Sequence, residues 1–78
     1  MKNILTSDLQ LGDLWITGLD SRLWILIHKK EDTANIDEKI VRVWQLTWFG
    51  KKGQGNLGLI VDNWIDGSSF KILSRGDA

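Results

Sequence analysis

KIVRVWQLTWFG, residues 39–50, is the stretch whose reading decides the fold. Ile40, Val41, Val43, Trp44, Thr47, Trp48 and Phe49 are β-branched or aromatic, residue types that fit a pleated, half-buried surface. Read with period two, Ile40, Arg42, Trp44, Leu46 and Trp48 share one face, and Val41, Val43, Gln45, Thr47 and Phe49 share the other. Neither face is purely apolar, so such a strand needs a buried side with a partly covered exterior, or a bulge. A helix over residues 36–49 is the rival. Ile36, Ile40, Val43, Trp44, Thr47 and Trp48 also fall on one helical face, and Asn35 with Glu38 imitates a capping box. Leu46 and Phe49 would then point away from that face, and most of the apolar residues would lose rotamer freedom. A strand is the preferred reading. The alternative is an α+β fold with a helix at 36–49 packed on a small antiparallel sheet.

Working outward, residues 11–16 open a first strand, with Leu14 and Ile16 alternating against Trp15 and Thr17. Residues 18–21 read as a turn, because glycine, aspartate and serine support tight backbone reversal. Residues 22–28 form a second strand, and its run Leu23-Trp24-Ile25-Leu26-Ile27 suits a strand covered on both sides. Residues 29–37 are polar and without periodicity, which predicts an exposed loop. Beyond the decisive stretch, the glycine- and lysine-rich residues 50–56 predict a flexible connector. Residues 57–65 predict a strand with Leu59, Val61 and Ile65 on one face and Ile60 and Trp64 on the other. Asp66-Gly67 is a hairpin-type signal, and Phe70 and Ile72 would face inward on a closing strand. Thr6-Ser7-Asp8 in the lead-in predicts a turn or a single helical turn. Five short strands separated by turn signals favour a small closed barrel. The expected layout is one domain over 1–78, with a lead-in at 1–10, the barrel at 11–73 and a polar tail at 74–78.

A 78-residue chain without cysteine has no disulfide or thiolate metal site to support its core. Five tryptophans are the compensation, since each buries a large ring. The first fifteen residues lack the continuous apolar block of a secretion signal, and the run at 23–27 is too short to cross a bilayer. A cytoplasmic location, or assembly into a virion, is the expectation, with no membrane partner. Ten basic and ten acidic residues cancel, which argues against a protein built mainly to grip phosphate backbones. A small neutral domain is also poorly protected from self-association.

The inventory for catalysis is thin: one histidine, no cysteine and no tyrosine. His28 stands beside Lys29 and Lys30 and reads as a solvent-facing strand end, and no second histidine exists to share a metal. Asp8, Asp13, Asp20 and Asp66 fall at turns, where aspartate caps backbone groups. Asp62 to Gly67 begins like a calcium loop, yet Trp64 replaces an oxygen ligand and Leu73 stands where the bidentate glutamate belongs. Residues 50–55 lack the Gly-Lys-Ser/Thr ending of a phosphate loop. Arg75-Gly76-Asp77 matches a cell-adhesion tripeptide, which arises often by chance. No enzyme, cofactor or metal is expected.

Five indoles are hard to hide in so small a core, and each N–H needs a partner. Trp48 and Trp64, each close to a loop, are the expected partly exposed rings. With Lys51 and Lys52 they make the candidate partner-binding residues, anchoring a protein interface. Arg42, Trp48, Lys51, Lys52 and Arg75 would instead make a single-stranded nucleic-acid surface, with bases stacked on indole. Neutral charge favours a protein partner or self-association.

Leu11-Gly12-Asp13-Leu14-Trp15, the apolar strand at 23–27, Val41-Arg42-Val43-Trp44 and the closing Phe70-Lys71-Ile72-Leu73 together resemble small SH3-like barrel proteins of tailed bacteriophages. The resemblance spans residues 12–73 and departs in the long 29–37 segment and the density of tryptophan. It implies an all-β, five-stranded SH3-like barrel. It also implies a non-enzymatic binding module, either a virion component or a host-directed protein, with no catalytic residue to carry over. A single-stranded nucleic-acid-binding small barrel is the alternative function.

Overall fold

The computed structural model of the chain describes residues 2–17, 21–52 and 55–76. It is all-β. Strands β1 (Lys2–Leu5), β2 (Leu14–Ile16), β3 (Leu23–Ile36), β4 (Lys39–Lys52), β5 (Asn56–Ile65) and β6 (Ser69–Ser74) form one sheet in the order β1-β6-β2-β3-β4-β5. Every pairing is antiparallel. Residues 39–50 are extended throughout and lie inside β4, so the helical alternative is overturned. Sterics explain the outcome: the β-branched and aromatic residues that lose freedom in a helix pack cross-strand in a sheet.

Two expectations about shape are corrected. Six strands form, not five, because the lead-in supplies β1, which pairs Ile4 with Phe70 of β6. The sheet is also open, with β1 and β5 as its two edges, so the closed barrel is not what these pairings make. It curls nonetheless. The Trp64 ring on β5 lies 4.6 Å from Phe70 on β6, and Trp15 on β2 lies 4.9 Å from Trp48 on β4 and 5.1 Å from Phe70. A flat sheet cannot bring β5 against β6, because three strands separate them in the order. Closely packed rings on one face draw the sheet around themselves, each aromatic pair adding about 0.5–1.5 kcal/mol beyond area burial.

The core follows the alternation expected from sequence. Leu9, Trp24, Leu26, Leu46, Trp48, Phe70 and Ile72 are buried, with Ile4, Trp15, Trp44, Ile60 and Trp64 packed against them. A register shift between Leu26 and His28 leaves Ile27 unpaired and resets the phase of β3, the bulge that a two-faced apolar strand requires.

The segment at 29–37 is not a loop. Residues 29–36 continue β3 and pair with β4 as far as Ile36 opposite Lys39. Asp37 (φ 51°) and Glu38 (φ 63°) make the two-residue turn, the geometry that matches strand twist in a tight hairpin. Periodicity fades there because beyond Asp32, opposite buried Val43, neither side of the hairpin is covered. Neighbouring β2 reaches only Leu23 to Ile25 of β3, and β5 reaches only Val43 of β4. The hairpin therefore projects, and the molecule measures 41 Å along its longest axis against 24 and 22 Å.

At 66–68 the chain turns as the Asp66-Gly67 signal predicts, with Gly67 at φ 96° and Ser68 N–H donating to the Ile65 carbonyl (3.1 Å). The turn does not pair β5 with β6; it is a corner that delivers β6 between β1 and β2. Thr6, buried after β1 at the start of the short helical turn Thr6–Asp8, holds that corner by donating both N–H and Oγ1–H to the Ser68 carbonyl (2.8 and 2.7 Å). The presumed tail begins as an anchor. Asp13, fully buried, accepts from Gln10 N–H (2.9 Å), Arg75 Nε–H (3.1 Å) and Gly76 N–H. Gly76 packs so tightly on Gly12 that a Cβ would run into the Leu11 carbonyl. Of the expected turns and tail, residues 18–20, 53, 54, 77 and 78, Asp20 among them, lie outside the described residues.

Candidate functional site

Strand alternation gives this sheet two faces, and only the inner one is filled by the described residues. Stretches apolar in both phases leave aliphatic side chains on the outside. Leu14 pairs with Ile25, Ile25 with Phe49 and Phe49 with Leu59, a row that crosses four strands on the outer face. One step along, Leu23 and Leu57 flank Lys51. These side chains line an apolar cleft of about 330 Å³ over Gly50, in which Lys51 is the one charged residue among those described. Phe49 is 37% exposed, Leu59 51% and Leu57 68%. Further along the same face lie Val61 and Ile65, also exposed. Scattered surface aliphatics need no explanation, but a contiguous apolar patch on a small domain marks a contact surface.

The residues singled out from sequence are not gathered there. Trp48 is fully buried, wedged against Trp15 and Phe70, and offers neither a contact edge nor a stacking face. Its expected exposure is corrected: closeness to a loop in sequence says nothing of strand phase, and position 48 falls on the inner face. Trp64 is half-buried on the inner face. Lys51 is exposed at the cleft rim, and Lys52 ends β4 beside it, its side chain outside the described part. Arg42 lies on the projecting hairpin, in the opposite phase to Lys51, and pairs with Glu31 at 3.1 Å. Arg75 is committed to Asp13 and to the Asp8 carbonyl (2.8 Å). Of the residues of the nucleic-acid alternative, Trp48 is thus buried, and Arg42 and Arg75 are each engaged by a carboxylate of the chain.

Inside the curl two charged groups stand out. The Lys29 ammonium donates to the carbonyls of Ser7 (2.9 Å) and Leu9 (3.0 Å) and sits 4.4 Å from the Trp44 ring centre. Burial lowers its pKa, and Asp8, Asp13 and Asp66 pull the other way. The Trp44 ring face is thus occupied by a cation of this chain, and its Nε1–H donates to Asp66 Oδ1 (2.9 Å). Asp62 points inward among indoles. Burial pushes its pKa up, while the nearby side chains of Trp64 and Trp48 favour the charged form. Neither indole N–H reaches hydrogen-bond geometry with it, so Asp62 Oδ1 and the N–H groups of Trp24, Trp48 and Trp64 are buried without protein partners. His28 is exposed on β3 opposite Thr47. Among the described residues no three histidine, aspartate or glutamate side chains gather as a metal site, and no helix is long and apolar enough to cross a membrane.

Sequence reasoning passed over Leu14, Leu23, Ile25, Phe49, Leu57 and Leu59. The available signal was apolar character in both strand phases at 23–27 and 57–61, which predicts cover on two sides. Here the second cover is not supplied by any of the described residues. No protein-family model matches the chain, and neither do the curated proteins or the solved structures.

Proposed function

We propose that this chain is a non-enzymatic protein-binding module whose contact surface is the outer face of the sheet, centred on the cleft beside Phe49. The supporting observation is the cross-strand row Leu14–Ile25–Phe49–Leu59, apolar across four strands, with Phe49 and Leu59 exposed and Leu14 and Ile25 half-buried. Burying it removes apolar area from water at about 25 cal/mol per Å², and the lone Lys51 at its rim would orient rather than drive the contact. The small-barrel reading fits the same picture. Strand β6 returns beside β2, the first strand of the meander, and the rings of β5 and β6 meet across the interior, as in a barrel left open at one seam. Such a module serves as a component built into a virion or as a protein directed at a host target.

The test is affinity capture with the wild type and Phe49→Asp side by side. A partner, including a second copy of the chain, that the wild type retains and Phe49→Asp loses supports the reading. Equal recovery by both overturns it.

A further inference from the structure

The outer face ends in two complementary features. At one end is the cleft, apolar with cationic Lys51 at its rim. At the other is the hairpin turn, where acidic Asp37 and Glu38 outnumber Lys39 beside outer-face Ile36 (40% exposed). The turn of one chain cannot reach its own cleft. Leu23 and Ile36 begin and end the same strand, and at about 3.3 Å per residue they stand on the order of 40 Å apart, as the 41 Å long axis shows.

We propose that the occupant of the outer face is a second copy of this chain, laid antiparallel so that the acidic turn of each meets the Lys51 cleft of the other. This rests on the outer face being the contact surface and names what covers it. The arrangement is self-complementary under a two-fold axis, the commonest symmetry of homodimers. It brings Asp37 and Glu38 to Lys51 twice and sets Ile36 against leucine and phenylalanine. Its area is adequate: a face 41 Å long and three strands wide, at about 4.8 Å per strand, covers roughly 600 Å² per copy. That amounts to roughly 1,200 Å² in all, at the lower bound of stable interfaces. Net charge zero leaves no long-range repulsion between copies.

Light scattering on the full chain across a concentration series tests this. The wild type is expected to dimerise. Phe49→Asp and Ile36→Asp should each weaken the dimer at least tenfold, with Leu57→Asp as the second cleft variant if Phe49→Asp fails to fold by circular dichroism. Lys51→Glu should weaken it roughly fivefold, and adding Asp37→Lys and Glu38→Lys to Lys51→Glu should restore it. A wild type that stays monomeric at every concentration overturns the inference. If Phe49→Asp also loses a captured heterologous protein, the contact surface survives and only its occupant was misassigned. A dimer lost in Phe49→Asp but indifferent to Ile36→Asp and the charge reversals overturns the turn-in-cleft register, again leaving the surface standing.

Discussion

Arg75, next to last among the described residues, donates its Nε–H to Oδ1 of Asp13, a carboxylate with no exposed surface, at 3.1 Å. The same oxygen accepts the Gly76 N–H, and Oδ2 accepts Gln10 N–H. One aspartate therefore ties the segment before β2 to the residues that follow β6. Removing it strands two backbone donors and a guanidinium. Asp13→Ala should cost about 3 kcal/mol in urea denaturation. Arg75→Gln should cost about 1 kcal/mol, because its side chain is partly solvated and the backbone donors keep Asp13 satisfied.

Asp62 carries a pH dependence of unusual sign. Its folded-state pKa lies above the ordinary carboxylate value because burial disfavours the charge. Between those two values the folded protein binds more protons than the unfolded chain, so this group's contribution falls as pH rises through that window and stays low above it. Asp62→Asn should raise stability at neutral pH, and the gap between variant and wild type should shrink as the pH falls through the window. Denaturant titrations of both proteins at a series of pH values read this directly; a gap that widens on acidification would refute it.

Gly50, buried in β4 between Trp24 and Gly58, forms the floor of the outer cleft and the ceiling of the Trp24 ring. A Cβ there would overlap the Leu23 carbonyl oxygen and come within 2.7 Å of the Trp24 indole. Gly50→Ala should cost about 1–3 kcal/mol from overpacking, with an altered tryptophan emission as the indole is displaced. Unchanged stability would mean that the ring has room to retreat.

Glu38 sits at φ 63° in the hairpin turn, a left-handed conformation in which its Cβ costs roughly 1–2 kcal/mol. Glu38→Gly should stabilise the chain by about 1 kcal/mol, after allowing for the greater freedom glycine has when unfolded. That corresponds to a rise of about 4–8 °C in Tm. Circular dichroism melts check the sign.

The residues by themselves determined that this protein is extended. The β-branched and aromatic content of 39–50 favoured the strand over the helix, and alternation correctly turned Phe70 and Ile72 inward. Aspartate at turns was legible too, as Asp13 shows, because capping is a local interaction between neighbours in sequence. Only the tertiary structure decided which strands end the sheet and which apolar face is left uncovered. Alternation reports that a strand has two faces but not what lies over each. Residues 29–37 look like a loop because their pairing partner lies across a turn, and from residue 33 on no core lies beneath to impose a pattern. Trp48 disappears into the interior, and Phe49 takes the surface, because the phase of a strand is set by non-local packing of rings from β2, β4, β5 and β6.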